Sequence, residues 1–206
     1  VDIPVDIIDA ENGADFPASE KCAGAVITGS HSMVTDEEPW SIRLEEWVKT
    51  LIRQDVPLLG ICYGHQLLAK AAGGQVGFHP DGREVGTVSV EPAPACSDDP
   101  IFSCASGPFD AHVIHFQTVL ELPEGVVRLA ANSHQPNHAF RLGNSAWGVQ
   151  FHPEYDKTIM KGYIREMARE LTDEGQDVDA LLDCVSQTPV PAQIIRSFGA
   201  FVKAEN

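Results

Sequence analysis

The sequence predicts an α/β fold in which a doubly wound, mostly parallel sheet is flanked by helices. The first 72 residues alternate short β-branched runs with amphipathic helical segments, an order typical of parallel strands joined by helices. Between residues 84 and 151, several short strand-like runs are separated by Pro, Gly and Asn. This second pattern indicates hairpins, and therefore a small antiparallel extension beside the main sheet.

Three strands are predicted in the early part of the chain. Residues 1–9 (VDIPVDIID) and 23–30 (AGAVITGS) are β-branched runs that end at polar or glycine positions, as buried strands do. Residues 56–61 (VPLLGI) form a third, shorter apolar run. The strand and helix order places these segments in the parallel part of the sheet.

Two helices are predicted among these strands. Residues 36–54 carry acidic residues and Pro39 at their front, which suits a helix start. The apolar side chains of this segment recur at helical spacing: Leu44, Trp47, Val48, Leu51 and Ile52. Residues 63–72 (YGHQLLAKAA) form the second helix, and Gly73 and Gly74 suit its C-terminal cap.

The second half is predicted to contain short strands and then a helical tail. The strands are EVGTVSVEP, AHVIHFQTV, VVRLAA, HAFRLG and AWGVQF. Residues 156–206 form the tail, with one helix near 156–172 and a final apolar stripe that packs on its own domain or, alternatively, forms a partner surface. The stripe consists of Ile194, Ile195, Phe198, Phe201 and Val202. No repeat or linker divides the chain, so residues 1–206 are predicted to form one domain.

Composition narrows the classes of partner. The chain has 14 Lys and Arg against 30 Asp and Glu, a formal charge of −16, and its basic residues are scattered, which argues against nucleic acid. No apolar run approaches the roughly 20 residues that cross a bilayer, so no membrane partner is expected. Five cysteines form neither a CxxC pair nor a disulfide framework, and reduced thiols in a cytoplasmic protein are the simplest interpretation.

Cys62 lies in GICYGHQ (60–66), between a predicted strand and a predicted helix. A nucleophile at such a turn is exposed to substrate and lies at a helix N-terminus, where main-chain N–H groups favour an anion. The tight turn requires glycine two residues before and two after the nucleophile, and Gly60 and Gly64 stand there. A buried structural cysteine is the alternative interpretation of this residue.

A candidate base for Cys62 lies in WGVQFHPEY (147–155). The predicted strand ends at His152, Pro153 interrupts it, and Glu154 follows. With the strands in register, His152 would lie beside Cys62, and Glu154 would orient the imidazole through its other nitrogen. A structural strand-end histidine is the alternative for His152 alone, but the two motifs together favour a catalytic triad.

Together, GICYGHQLLAKAAGG and VQFHPEY closely resemble the class I glutamine amidotransferase family, and the likeness extends to about residue 155. VITGSHSMVTDEEPW resembles the oxyanion-strand loop of that family. The nearest resemblance is to standalone members similar to the glutaminase part of GMP synthase. The family fold is flavodoxin-like and opens with a strand and a helix ahead of VDIPVDIID, so the resemblance implies that a native N-terminal segment precedes Val1.

The resemblance also implies a reaction and its residues. Cys62 would attack the side-chain amide of glutamine, release ammonia and form a γ-glutamyl thioester that water converts to glutamate, while His152 transfers protons and Glu154 orients it. The implied oxyanion donors are main-chain N–H groups of Gly29, Ser30 and Tyr63.

Substrate-holding residues are implied less directly. Gln66 matches a family position that helps to hold the substrate. His115 stands in the family's His-x-Asp segment, although Gln117 replaces the acid. The oxyanion loop also departs from the frequent Gly-Gly-Pro form, since this chain has Gly29 and Ser30 followed by a histidine.

No nucleotide-binding fingerprint occurs, so no cofactor is expected and the ammonia would need an ammonia-accepting synthetase in trans. His112 and His115 fall on opposite faces of a strand without a third ligand, so no metal is expected. Two alternatives stay open: a γ-glutamyl hydrolase or peptidase that acts on γ-glutamyl compounds, and a non-catalytic regulatory module with a vestigial site.

Several polar residues are given no functional role. His65 is expected to pack behind the nucleophile. The remaining residues of this group are predicted to be surface residues: His79, Arg83, Glu84, His134 and His138.

Overall fold

The computed structural model describes residues 3–205 of the chain. Its helices are α1 (Pro39–Arg53), α2 (Tyr63–Ala71), α3 (Lys157–Glu166), α4 (Ala168–Asp173), α5 (Val178–Cys184) and α6 (Pro189–Glu205). Its strands are β1 (Ala25–Ile27), β2 (Leu58–Ile61), β3 (Gln75–Phe78), β4 (Glu84–Pro92), β5 (Phe109–His115), β6 (Gln117–Glu121), β7 (Val127–Ala131), β8 (Ala139–Leu142) and β9 (Ala146–Val149). Short 3-10 helices cover Ser19–Lys21, Val34–Asp36 and Pro94–Asp98.

Seven strands form the main sheet in the order β1-β2-β9-β8-β7-β4-β5, and β3 pairs with β6 in a separate two-stranded sheet. The β1–β2 and β2–β9 pairs are parallel. The other pairs of the main sheet are antiparallel. The predicted α/β class and its antiparallel extension are therefore confirmed, and the extension is larger than the sequence indicated.

Helices cover both faces of the sheet. Successive side chains of a strand point to opposite faces, and both faces of β2 carry apolar residues that pack against helices. Leu58 packs with α1 and α2 on one face. Leu59, the next residue, packs with α6 on the other face, where Phe198 and Val202 lie. The α6 stripe thus packs on its own chain, as predicted. No helix within residues 3–205 combines the length and the apolar character that crossing a membrane would require.

Residues 3–9 are not a strand, which corrects the prediction for segment 1–9 over its described part; residues 1 and 2 lie outside the described residues. Val5 and Ile7 are 79% and 94% exposed, so their β-branched side chains have no strand environment to fill. Pro4 also removes a main-chain donor from the middle of the run, which disfavours a ladder there. The sequence prediction gave the β-branched residues more weight than Pro4, and it therefore assigned a strand that does not form.

The segment AHVIHFQTV divides into two strands instead of one. Phe116 separates β5 from β6, and the two strands then join different sheets. The apolar alternation continues across Phe116, so the sequence pattern does not reveal the break. This break carries Gln117 out of the main sheet and toward the short 3-10 helix that contains Thr35, whose Oγ1 accepts a hydrogen bond from Gln117 Nε2 at 2.5 Å.

The helical tail is anchored by a buried arginine. Arg83 Nη2 lies 3.0 Å from carboxylate oxygens of both Glu170 and Glu174, near the C-terminal end of α4. Its guanidinium also lies 3.8 Å from the ring centroid of Phe116. The prediction of a surface position for Arg83 is wrong, because these partners compensate its charge and let the side chain be buried.

The turn from β2 to α2 is packed too tightly for any side chain at its two glycines. A Cβ atom on Gly60 would lie 2.3 Å from the main-chain oxygen of Gly64. A Cβ on Gly64 would lie 2.2 Å from the main-chain oxygen of Ile27, in β1. Because main-chain atoms of neighbouring elements cannot move aside cheaply, both positions require glycine.

We predict that Gly64→Ala lowers the free energy of unfolding by about 3 kcal/mol or more, since the added methyl group overpacks the turn against β1. Gly162→Ala is the matched control, because Gly162 lies inside α3 with open space around its Cα. That change is expected to stabilise the protein by about 0.5–1 kcal/mol. Urea unfolding of both variants measures the difference, and equal stabilities would contradict the packing described for this turn.

Candidate active site

Cys62 occupies a strained main-chain conformation at the turn between β2 and α2. Its φ is 49° and its ψ is −98°, values that a residue with a side chain rarely adopts. Its N–H donates to the main-chain oxygen of Val149 at 2.8 Å, which ties the turn to β9. The thiol side chain is 7% exposed. The structure thus places Cys62 at the sharp elbow that the sequence predicts.

The register of β2 and β9 brings the two sequence motifs together. Ile61 pairs with Val149, so the residues that follow each strand, Cys62 and Gln150, lie side by side. His152 follows two residues later, and its N–H donates to the main-chain oxygen of His112 at 2.8 Å. The segments that follow β2 and β9 therefore converge beside β5.

His152 is buried between Cys62 and Glu154. Its Nδ1 lies 2.8 Å from Glu154 Oε1. Burial alone would lower the pKa of His152, but the negative charge of Cys62 and the Glu154 carboxylate raise this pKa to about 10. Within residues 3–205, Nε2 has no hydrogen-bond partner. It is therefore the ring nitrogen that is available to interact with Cys62. The three predicted triad residues are thus brought together in the predicted order.

The turn at Gly29 closes the site on a third side. A Cβ atom on Gly29 would lie 2.9 Å from Cε1 of His152 and 3.7 Å from Cβ of Cys62, so only glycine fits there. Ser30 Oγ donates to Glu11 Oε1 at 2.6 Å and accepts from the N–H of Ser32 at 3.1 Å. These side-chain contacts hold the turn against the nucleophile, where the sequence predicts the oxyanion donors.

Tyr63, the residue after Cys62, directs its side chain away from the thiol. Its hydroxyl bonds to Ser41 of α1, and its ring lies 5.3 Å from that of Trp40. Burial raises the pKa of Tyr63 to about 12. Its predicted role involves only its main-chain N–H, which is the first of α2 and so has no acceptor within the helix.

Gln66 and His115 have protein partners. Gln66 Nε2 donates to the main-chain oxygen of Gln117 at 2.7 Å and to Gln150 Oε1 at 3.2 Å. His115 Nδ1 lies 3.1 Å from that same main-chain oxygen, and its Nε2 lies 3.0 Å from Glu84 Oε2. A substrate would have to displace these contacts to reach either nitrogen of His115, so substrate binding by both residues stays a prediction.

Glu84 is the centre of a buried polar cluster, which corrects its predicted surface position. Its carboxylate contacts His115, lies 3.3 Å from His138 Nε2 and accepts from Asn132 Nδ2 at 2.7 Å. Burial alone would raise the pKa of Glu84, but the two histidines hold it well below its usual range. His138 is also fully buried, with the Glu84 carboxylate facing its ring.

For the other histidines, some predicted positions are correct and others are only partly correct. His65 is fully buried behind Cys62, as predicted, and burial lowers its pKa to about 3. His79 and His134 are half-buried and stack on each other, with ring centroids 4.0 Å apart. Their predicted surface positions are therefore only partly correct.

Two contacts of the candidate site were not predicted. Gln150 Nε2 lies 3.6 Å from Cys62 Sγ, and the Tyr155 ring stacks on the His152 ring with centroids 4.0 Å apart. Tyr155 in turn stacks on Tyr163 of α3 at 5.3 Å. The signal for Gln150 was present, because it stands two residues before His152 and therefore on the same side of an extended chain.

The described residues offer no cluster of three or more His, Cys, Asp or Glu with the geometry of a metal site. All five cysteines are unpaired thiols in the structure.

Comparison with characterised proteins finds related sequences. Residues 3–169 match the family described as glutamine amidotransferase class-I. The chain is 31% identical over 195 residues to a gamma-glutamyl-L-1-hydroxyisopropylamide hydrolase of Pseudomonas sp, covering 89% of this chain and 63% of the relative. It is 38% identical over 133 residues to the glutamine-hydrolysing GMP synthase of Porphyromonas gingivalis, covering 64% of this chain and 24% of that one. The chain thus spans less than two thirds of either relative.

Solved structures show the same fold. A glutamine amidotransferase from Thermotoga maritima superposes with a TM-score of 0.80 at 25% identity, over 96% of this chain and 85% of that chain. A glutamine amidotransferase from Methylobacillus flagellatus gives a TM-score of 0.78 at 26% identity, over 98% and 83% of the two chains. The family match over residues 3–169, together with this fold, shows that the chain belongs to the class I glutamine amidotransferase family.

Proposed function

We propose that this protein hydrolyses the side-chain amide of L-glutamine through a γ-glutamyl thioester on Cys62. The observation that carries the proposal is the convergence at the ends of β2 and β9, where a cysteine at a strained elbow adjoins a histidine held by a carboxylate. Cys62, His152 and Glu154 are the proposed nucleophile, proton carrier and orienting group. Glutamate and ammonia are the products, and a synthetase in trans would consume the ammonia.

The first half of the reaction begins from a thiolate and an imidazolium. The Cys62 sulfur attacks the amide carbon, and the carbonyl electron pair moves to oxygen to form a tetrahedral oxyanion. As the oxyanion collapses, the C–N bond breaks and His152 delivers its Nε2 proton to the leaving nitrogen. The high pKa of His152 supports this step, because the imidazole holds that proton at neutral pH.

The second half reverses the direction of proton transfer. The thioester sulfur no longer carries the negative charge that raises the pKa of His152, so the imidazole becomes able to accept a proton. Water attacks the thioester carbon while His152 takes one of its protons, and the C–S bond breaks to return the thiolate. One group therefore serves as acid and then as base, because its partner changes charge.

The proposed oxyanion donors are main-chain N–H groups on two sides of Cys62. The Tyr63 N–H lies at the start of α2, where the helix leaves it without an internal acceptor. The Gly29–Ser30 turn lies within van der Waals reach of Cys62 and is held by Glu11. Fixed donors of this kind favour the oxyanion because they need no rearrangement when charge develops.

A second candidate substrate is a γ-glutamyl amide with a larger leaving group. The relative from Pseudomonas is named a hydrolase of such an amide, and the alignment with it covers 89% of this chain. The two substrates share the thioester chemistry and differ only in the amine that leaves.

We predict that Cys62→Ala abolishes release of glutamate from glutamine and from γ-glutamyl alkylamides, with a loss of about 10³-fold or more, because the covalent step disappears. Cys184→Ala is the control, since that thiol is exposed and lies in α5. Assays of both substrates with wild type and variants also separate the two candidates, because the preferred leaving group shows the higher kcat/KM. Unchanged hydrolysis by Cys62→Ala would refute the nucleophile assignment, and a wild type inactive on both substrates would favour a regulatory module.

We predict that Cys62→Ala also lowers the pH at which His152 titrates by about 1–3 pH units, because the variant lacks the negative charge that helps to raise the pKa of the imidazole to about 10. Glu154→Gln is expected to lower the midpoint by a smaller amount, since Glu154 contributes less to the shift than Cys62. Imidazole NMR signals followed from pH 5 to 11 give both midpoints. An unchanged midpoint in Cys62→Ala would show that no charge interaction joins the two side chains.

A further inference from the structure

The Cys62 sulfur lies between an acceptor and a donor. The main-chain oxygen of Ile114 is 3.7 Å from Sγ and can accept only from a protonated thiol. Gln150 Nε2 is 3.6 Å from Sγ and can donate to a thiolate. The first contact favours the neutral form of the sulfur and the second favours the charged form, so the orientation of the Gln150 amide affects which form is stable.

A main-chain carbonyl determines that orientation. The oxygen of Gln117 can only accept, so the Gln66 side chain must direct its amide nitrogen there, as it does at 2.7 Å. The second proton of that nitrogen then needs an acceptor, and Gln150 presents Oε1 at 3.2 Å. With its oxygen committed to Gln66, Gln150 can direct only its NH2 group toward Cys62.

Burial restricts the movement of the side chains in this chain of hydrogen bonds. Gln66, Gln117 and Gln150 are all buried, and Gln150 is fully inaccessible to solvent. A rotated Gln150 amide would place its NH2 group against the NH2 group of Gln66, at a position closed to solvent. The main chain also holds Gln150, because its N–H donates to the main-chain oxygen of His138 at 2.8 Å.

We propose that Gln150 is a hydrogen-bond donor that stabilises the Cys62 thiolate, and that Gln66 and the Gln117 carbonyl act as positioning groups for it. The inference rests on the proposed nucleophilic role of Cys62 and adds a second donor beside the His152 imidazolium. Among the described residues, the titratable side chains that interact with Cys62 are His152, with its partner Glu154, and Tyr155. Gln150 differs from these groups because its contribution does not change with pH.

The test is the pH dependence of Cys62 alkylation by iodoacetamide in the full chain, read at the Cys62 peptide by mass spectrometry. Gln150→Leu removes the donor and is expected to raise the pH midpoint by about one unit, so that alkylation at neutral pH slows about tenfold. Gln150→Glu keeps the shape but replaces the donor by a carboxylate, and it is expected to raise the midpoint further.

Gln135→Leu is the matched control, because Gln135 is also fully buried. Its Oε1 accepts from the N–H of Asn137, in the loop between β7 and β8 and not beside Cys62. It is expected to reduce the melting temperature without moving the alkylation midpoint. The inference is overturned if both Gln150 variants keep the wild-type midpoint, or if Gln135→Leu moves it equally. Alkylation needs no substrate, so a protein that fails to hydrolyse γ-glutamyl amides would refute the proposed function while leaving this result to stand or fall separately.

Discussion

The parallel pairing of β2 with β9 is the constraint on which the candidate site depends. Ile61 opposes Val149, and the Cys62 N–H extends the ladder by one further bond to β9. This register places Cys62 beside Gln150 and within reach of His152. A slip of one residue would turn Gln150 and His152 to the opposite face of the sheet, where α6 packs, and no loop adjustment could restore the contacts. The apolar cores on both faces oppose such a slip.

The elbow then places the Cys62 thiol, which is largely buried, at the start of α2. β1 contributes from the other side, because the main chain of Ile27 lies so close to Gly64 that a Cβ there would collide with it. The positive φ of Cys62 is thus maintained by neighbours on both sides. Although the chain carries a formal charge of −16, the groups that raise the pKa of His152 are its immediate neighbours Cys62 and Glu154.

The parts of this arrangement that depend on local sterics could be predicted from sequence. The glycines around Cys62 and the placement of His152 at a strand end follow from what a tight turn and a strand terminus demand. Glu84, Arg83 and His138 could not be predicted, because charged residues are rarely buried and their compensating partners come from distant strands and helices. The strand predicted for residues 3–9 is absent because β-branched composition is a local property, whereas a strand also needs a neighbouring strand to pair with. For Gln150, the side of the chain on which it lies could be predicted from its spacing to His152, but its hydrogen bond with Gln66 could not.

His152 shows how these separate constraints combine in one side chain. Glu154 holds Nδ1, Tyr155 covers one face of the ring, and the main-chain oxygen of His112 fixes the residue's own N–H. Burial and neighbouring groups raise the pKa of Tyr155, so it stacks as a neutral phenol across the pH range in which the imidazole works. With these directions occupied, Nε2 is the ring nitrogen left without a hydrogen-bond partner among the described residues, and it is the nitrogen available to Cys62. The imidazole is therefore oriented before any substrate binds, so little of the binding energy has to be spent on aligning it.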